Sequence, residues 1–159
     1  MYKRQVIDCY IFIDDLCGSG VQAVEYSTKV VDKIKAISPE VEVYYIPIFG
    51  TESGIDHVRK NTSFDRVDPV FSLDESFKVF SYDSRYFKNA PEGISKAYAK
   101  NTFLKHGRQI CPAHPLGYED GQQLIGFEHN VPDNTLPAIW FEDDNSSWVP
   151  IFKRYHKIG

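Results

Sequence analysis

The feature that most constrains this sequence is a short apolar run, residues 6–13, that leads directly into two acidic residues and a glycine-rich loop. A run of this length, in which nearly every residue is apolar, predicts a strand buried on both faces of a parallel sheet. Asp14 and Asp15 follow the run, and residues 18–20, Gly-Ser-Gly, come three positions later. Since ligands of parallel α/β sheets bind beyond the carboxyl ends of the strands, this loop is the first candidate for a binding site.

The segments after the loop predict a βαβ unit. Residues 21–37 carry apolar side chains at three- and four-residue spacings, which indicates an amphipathic helix, and Ser38-Pro39 ends it. Residues 41–49 are β-branched and aromatic and predict a second strand. A strand, a helix and a strand in this order form a right-handed unit with parallel strands. We therefore expect an α/β fold with a mainly parallel sheet.

The rest of the chain is less regular. We expect residues 1–159 to form one domain, with an irregular C-terminal extension over about residues 108–159. Proline suits the start of a helix, and glycine suits the position just past its end. The expected elements are a short helix at 54–60, short strands at 70–71, 79–80 and 124–127, a helix at 91–106 between Pro91 and Gly107, and a loop at 130–137.

Composition and charge exclude several classes of protein. The chain is 42% hydrophobic and 25% charged, so it has the apolar surface that a disordered chain lacks. Its formal net charge of −4 argues against direct binding to nucleic acid. No apolar run approaches the ~18–20 residues of a membrane span, and the start of the chain does not show the pattern of a signal peptide. Three cysteines without paired spacing fit a reducing compartment, so we expect a cytoplasmic protein that does not bind membranes.

The acid–glycine segment, residues 11–22, carries the groups needed to hold a phosphorylated sugar. Glycines allow the backbone to approach a ligand closely. The N–H groups and the positive end of the helix dipole at a helix start suit a phosphate. Asp14 and Asp15 could bind ribose hydroxyls or Mg²⁺. The candidate phosphate-binding residues are Gly18, Ser19, Gly20, Val21 and Gln22.

Other interpretations of these residues remain open. Positions 18–23 read G-x-G-x-x-A and fit a loose dinucleotide fingerprint, although the acid expected about 20 residues later at the end of the second strand is here Glu52, 34 residues after Gly18. A glycine-rich turn with two solvated acids and no ligand is the simplest alternative. After the second strand, Thr51 and Glu52 could contact the same ligand, or a hydroxyl of Thr51 or Ser53 could instead cap a helix.

The acid–glycine segment resembles the 5-phosphoribosyl-1-pyrophosphate (PRPP) fingerprint of type I phosphoribosyltransferases, in which an apolar strand, two acids and a phosphate loop precede a helix. In that family the acids bind the ribose 2′- and 3′-hydroxyls and the loop binds the 5′-phosphate. The resemblance implies these roles for Asp14 and Asp15 and for residues 18–22, with Mg²⁺ as the cofactor. Family loops usually carry threonine at the first and last loop positions, where this chain has Gly18 and Gln22.

The C-terminal third resembles the end of the phosphoribosyltransferase-like proteins of bacterial conflict (anti-phage) systems. The residues that carry this resemblance are 134–137, Trp140 and 148–154, together with 49–54 after the second strand. The resemblance implies an effector of bacterial defence that binds a phosphoribosyl or nucleotide ligand and, if catalytic, transfers or cleaves at the ribose anomeric carbon. The alternative is a non-catalytic module that senses a nucleotide or supports a protein interface.

The resemblance also implies a protein partner. A complete type I phosphoribosyltransferase has a further βαβ part, with a pyrophosphate-binding loop, before the fingerprint strand, whereas here that strand begins near residue 6. Without neighbouring strands, residues 6–13 would expose an unpaired edge and an apolar face. We therefore expect a partner chain that completes the fold, with a homo-oligomer that covers the same face as the second possibility.

Overall fold

The computed structural model describes residues 7–142 and 148–152 of the chain. The chain divides into two compact units, Met1–Leu73 and Asp74–Gly159. Val6, at the start of the expected first strand, and residues 153–154, at the end of the C-terminal resemblance, lie outside the described residues. The expectation that all residues form one domain stays a prediction. Within the described ranges, no helix has both the length and the apolar character needed to cross a membrane.

The first unit is built on a four-stranded parallel sheet, which confirms the expected fold class. Its strands are β1 (Cys9–Cys17), β2 (Glu42–Thr51), β3 (Arg66–Val67) and β4 (Phe71–Leu73). β1 pairs with β2, and β2 pairs with β3 and, farther along its length, with β4. β1 therefore lies at one edge of the sheet. It extends beyond its expected end at residue 13 because its pairing with β2 continues past the acids.

The helices of this unit follow the strands as expected. α1 (Val21–Tyr26), a π-helical turn (Ser27–Val31) and α2 (Asp32–Ile37) follow one another without a break, which confirms the predicted helix over 21–37. α3 (Glu52–Asn61) follows β2 directly and begins two residues before its predicted start at residue 54.

The buried side of the first helix differs in part from the apolar stripe expected from the sequence. Ala23, Ser27 and Val31, spaced four residues apart, are buried. Ile37, the last apolar residue of the predicted helix, is 83% exposed. Two of the three buried side chains are small, and small side chains allow a helix to lie close to the sheet. Apolar spacing therefore identified the helix but not all of its buried face.

The core of the first unit lies on the face of the sheet that the helices cover. Its buried members come from β1, α1, β2, α3 and β3: Cys17, Ala23, Tyr45, Ile55, Val58 and Val67. Phe12 and Phe64 pack against this cluster. The Tyr45 and Phe64 rings stack with their centroids 5.3 Å apart, so the aromatic residues fix the spacing between β2 and the segment after α3.

The opposite face of β1 is exposed, and the expectation of a strand buried on both faces is wrong. Ile11 and Ile13 are 52% and 75% exposed. The connections from β1 to β2 and from β2 to β3 run in the same direction across the sheet. Right-handed crossovers in one direction place their helices on one face, so the other face of β1 receives no helix from them.

The second unit combines helices with long irregular segments. It contains α4 (Lys96–Ile110), α5 (Pro137–Trp140) and 3₁₀ turns at Glu75–Phe77, Arg85–Phe87 and Tyr118–Asp120. Its buried core is made of Val79, Phe80, Leu116 and Leu136. The expected loop at 130–137 is present as far as Leu136, and Pro137 begins α5.

Two strands expected in this unit are wrong. Val79 and Phe80 lie in a turn and are almost fully buried. Residues 124–127 form no strand, although the adjacent Gln123 makes an isolated bridge with Thr135. Val79 and Phe80 fill the core from a turn, so their hydrophobicity reflects burial and not strand pairing, whereas residues 124–127 include the exposed Leu124.

The position of α4 corrects the expected helix at 91–106. The helix begins after Ser95, whose hydroxyl accepts a hydrogen bond from the N–H of Tyr98 at 3.1 Å, and it continues to Ile110. Gly107 therefore lies inside the helix and does not follow its end. A Cβ at Gly107 would lie 2.0 Å from the carbonyl oxygen of Pro115. Glycine occupies this position because the backbone at Pro115 packs against the helix.

We predict that Gly107→Ala destabilises the protein, although alanine in a helix is favoured over glycine by about 1 kcal/mol. Overpacking costs about 1–3 kcal/mol of stability. The cost at Gly107 should lie at the upper end of this range, because the new Cβ overlaps a backbone carbonyl, which cannot change rotamer as a side chain can. Gly126→Ala is the control, because its nearest contact to a new Cβ is 3.7 Å away. Urea unfolding midpoints measure the difference, and a Gly107→Ala protein as stable as wild type would contradict the packing.

Candidate functional site

The two acids lie near the carboxyl end of β1, and both carboxylates hold backbone hydrogen bonds. Asp14 Oδ1 accepts from the N–H of Asp15 at 2.9 Å, and Asp15 Oδ1 accepts from the N–H of Leu16 at 2.8 Å. The hydroxyl of Tyr45, on β2, donates to Asp14 Oδ2 at 2.9 Å. Both oxygens of Asp14 are therefore engaged within the protein, which fixes its orientation.

The surroundings of Asp14 disfavour its charge. Burial raises the pKa of Asp14 above its ordinary value of 3.8, while the hydrogen bond from Tyr45 acts in the opposite direction. Burial also raises the pKa of the neighbouring Cys17 thiol to about 11 and raises the pKa of Tyr45. Asp14, Tyr45 and Cys17 thus form a cluster in which burial raises the pKa of each group.

The glycine loop, residues 18–20, turns the chain from β1 into α1. Gly20 has a φ of +81° and occupies the N-cap position of α1, a conformation that glycine adopts without strain. Ser19 Oγ accepts a hydrogen bond from the N–H of Val21 at 3.4 Å. The next N–H groups of the helix belong to its first turn, where no intrahelical acceptor exists. The loop therefore ends where the first N–H groups of α1 have no acceptor within the helix.

The first turn of α3 packs directly against the glycine loop. Thr51 Oγ1 accepts from the N–H of Gly54 at 3.0 Å, so Thr51 caps α3, and the same hydroxyl donates to the carbonyl oxygen of Gly18 at 2.5 Å. A Cβ at Gly54 would lie 2.0 Å from that carbonyl oxygen. A Cβ at Gly20 would lie 2.7 Å from the carbonyl oxygen of Gly54. The two backbone segments are in contact, with no room for side chains between them.

The structure brings most of the predicted site residues together at the carboxyl ends of the strands. The acids, the glycine loop and Thr51 lie at the ends of the neighbouring strands β1 and β2. Val21 is half-buried, whereas Gln22 and Glu52 are exposed in the first turns of α1 and α3. The hydroxyl proton of Thr51 is used within the protein. Ligand contacts by these residues stay predictions.

Two residues of this site were missed by the sequence analysis. The sequence analysis placed Tyr45 only among the aromatic residues of the second predicted strand. Nothing in the sequence indicated that its hydroxyl reaches Asp14. Gly54 follows Thr51 in the G-T-E-S-G motif, and the glycine itself was the only signal of a close backbone contact. Within the part of the chain that the structure describes, no group of three or more His, Cys, Asp or Glu side chains could hold a metal ion.

The raised pKa of Asp14 predicts a specific pH dependence of stability. Because the folded state holds the Asp14 proton more tightly than the unfolded state, stability falls as the pH rises from about 4 through the raised pKa. Asparagine carries no charge, so we expect the melting temperature of Asp14→Asn to rise relative to wild type between pH 4 and pH 7.

Asp65→Asn is the contrasting variant for this experiment. Lys35 and the N–H of Val43 lower the pKa of Asp65, so its charge stabilises the fold above pH 3.8 and that contribution is lost as the pH falls. Relative to wild type, Asp65→Asn should lose stability as the pH rises toward 3.8 and should keep a constant deficit above that pH. Thermal scans at several pH values compare the two slopes, and slopes of the same sign would contradict the assignment.

Comparison with protein families gives a match over most of the chain. Residues 1–154 match the model of the family described as PRTase-CE. Comparison with curated proteins and comparison with solved structures give no match. The strand, the acid pair, the glycine loop and α3 all fall within the matched residues. The chain belongs to the phosphoribosyltransferase-like family PRTase-CE.

Proposed function

We propose that this chain is a phosphoribosyltransferase-like effector of a bacterial defence system that binds a phosphoribosyl or nucleotide ligand at the acid–glycine segment. The observation that carries the proposal is the placement of Asp14 and Asp15 beside a glycine loop that begins one helix and packs against the start of another. Family membership supports a phosphoribosyltransferase-like function. The resemblance of the C-terminal third supports the defence role. Three free cysteines support the cytoplasm as the compartment.

The chemistry of the loop supports a phosphate ligand. The N–H groups of the first turn of α1 and the helix dipole both favour an anion at this position. Ser19 lies at the tip of the loop and is only partly buried, so its hydroxyl is accessible to a ligand. The contact with Thr51 fixes the loop before a ligand arrives, and a site that is already ordered loses less entropy on binding.

Mg²⁺ is the cofactor we propose, held by the acid pair together with the phosphates of the ligand. Mg²⁺ in proteins usually keeps several waters and takes one or two carboxylates plus substrate phosphates. Two adjacent carboxylates at the end of β1 fit this donor set. When bound, the cation would neutralise phosphate charge.

If the ligand reacts, the reaction takes place at the ribose anomeric carbon and passes through a cationic transition state. Asp14 and Asp15 would orient the ribose hydroxyls and stabilise the developing positive charge. Residues 18–22 would hold the phosphate and so fix the distance between the sugar and the acids.

We predict that PRPP binds in the presence of Mg²⁺ and that the double variant Asp14→Asn/Asp15→Asn loses this binding. Each hydrogen bond to a charged group contributes about 1.5–3 kcal/mol, so removal of both charges lowers affinity by about a hundredfold or more. Isothermal titration calorimetry with PRPP and with nucleotides, each with and without Mg²⁺, measures the change.

Asp56→Asn is the matched control for this titration. Asp56 lies on the exposed surface of α3, and its loss changes the net charge without touching the acid pair. Its affinity should equal that of wild type. A double variant that folds and still binds PRPP as tightly as wild type would contradict the role of the acids. A wild-type protein that binds neither PRPP nor nucleotides would contradict the site.

The second candidate function is a non-catalytic module that senses a nucleotide or supports a protein interface. It is favoured by the hydrogen bonds that occupy both oxygens of Asp14 and the hydroxyl of Thr51, since these groups are already satisfied without a ligand. The two candidates differ in turnover. Release of pyrophosphate or of a free base from a bound ligand supports the enzyme, and tight binding without product supports the sensing module.

A further inference from the structure

The outer edge of β1 has the properties of a pairing surface. The carbonyl of Asp8 accepts a hydrogen bond from the N–H of Glu42 on β2 at 3.3 Å. Since backbone groups of successive residues point to alternate sides of a strand, the even-numbered residues of β1 direct their groups toward β2. The odd-numbered residues 9, 11 and 13 direct theirs away from the sheet. Among the described residues, no strand pairs with this edge.

The side chains along this edge strand are apolar and exposed. Ile7, Ile11 and Ile13 are 50%, 52% and 75% exposed, and Cys9 between them is exposed as well. These residues alternate and therefore share the face that the helices do not cover. An edge that is apolar on its open face over residues 7–13 is a template for another strand. The occupant of such an edge is therefore an extended polypeptide.

We propose that β1 pairs antiparallel with β1 of a second copy of this chain, about a two-fold axis at Tyr10, to form one continuous sheet. This inference does not depend on the proposed ligand. A two-fold axis requires a strand that complements itself, and most homo-oligomers are two-fold dimers. In this pairing Cys9 faces Ile11 of the second copy, and Ile7 faces Ile13. All four are apolar and lie on the same face.

The backbone allows this register, and the charges favour it over the register with the axis at Ile11. With the axis at Tyr10, the odd-numbered residues face one another, so their outward N–H and C=O groups form ladder hydrogen bonds. Asp8 then lies opposite Phe12. With the axis moved to Ile11, Asp8 would lie opposite Asp14, and like charges directly opposite are destabilising. The antiparallel arrangement also places the two glycine loops at opposite ends of the paired strands, so each remains open.

The test begins with the mass of the full chain in solution, measured by light scattering after size exclusion. We expect twice the chain mass of 18.3 kDa for wild type. Ile11→Lys places a charge on the open edge and should halve the mass. Ile37→Lys is the matched control, because Ile37 is an exposed isoleucine on α2, and it should remain a dimer. Circular dichroism checks that each variant is folded.

Cysteine cross-linking tests the register separately. In the proposed pairing, Ile11→Cys lies opposite native Cys9, at a separation that a disulfide can span. Oxidation with diamide should therefore give a covalent dimer that is absent when Cys9→Ser is added. Ile13→Cys should give none, because residue 13 faces Ile7. A cross-link through residue 13 in place of residue 11 would overturn the register.

The remaining outcomes overturn the proposal as a whole. A wild-type chain that is a monomer at micromolar concentration excludes the second copy as occupant of the edge. A dimer that persists in Ile11→Lys places the interface elsewhere. A complex of one copy with a different protein, dissociated by Ile11→Lys, assigns the edge to that protein and not to a second copy.

Discussion

The candidate site depends on one contact between two stretches of backbone, the glycine loop and the first turn of α3. Gly18 offers its carbonyl to the hydroxyl of Thr51, and Gly54 and Gly20 allow the two segments to touch. Because α3 follows β2 directly, this contact fixes the loop relative to the ends of both strands. The start of α1 and the acid pair then take their positions from the same strands. A side chain at Gly54 or Gly20 would separate these elements.

The position of Asp14 lowers the stability of the fold. Its burial disfavours the carboxylate, and the hydrogen bonds from Tyr45 and from the N–H of Asp15 compensate only in part, so its pKa remains raised. A carboxyl at this position does not add to the stability of the packed core. Groups with pKa values shifted by burial and by specific neighbours occur preferentially at functional sites. The environment of Asp14 therefore agrees with the proposed ligand-binding role and shows that this carboxyl is not a freely solvated acid.

The sequence predicted the first half of the molecule better than the second, for physical reasons. The segment from residue 9 to residue 61 is regular, and apolar spacing distinguishes its strands from its helices. The exposed face of β1 could not be predicted, because the sequence has the same apolar residues at Ile11 and Ile13 whether or not a helix covers them. In the second unit Val79 and Phe80 are buried in a turn, and no periodicity marks such residues.

The placement of the candidate site residues was predicted where it depends on neighbours in the sequence, and missed where it depends on contacts between strands. Asp14, Asp15 and the glycine loop are adjacent in the chain, so their order alone indicated a phosphate and a sugar. The hydrogen bond between Tyr45 and Asp14 joins residues 31 positions apart. It exists because β1 and β2 pair side by side, and a single sequence does not state their register.

The glycines of the loop have two explanations that a substitution at Gly20 cannot separate. Close approach of a phosphate requires a residue without a side chain, but so does the positive φ of Gly20 and its contact with the carbonyl of Gly54. A variant such as Gly20→Val would lose the fold of the loop whether or not a ligand binds there. The acids do not have this ambiguity. Replacement of a carboxylate by an amide keeps the shape and one oxygen of the side chain while it removes the charge, so the acid pair and not the glycine loop decides whether this edge of the sheet binds a ligand.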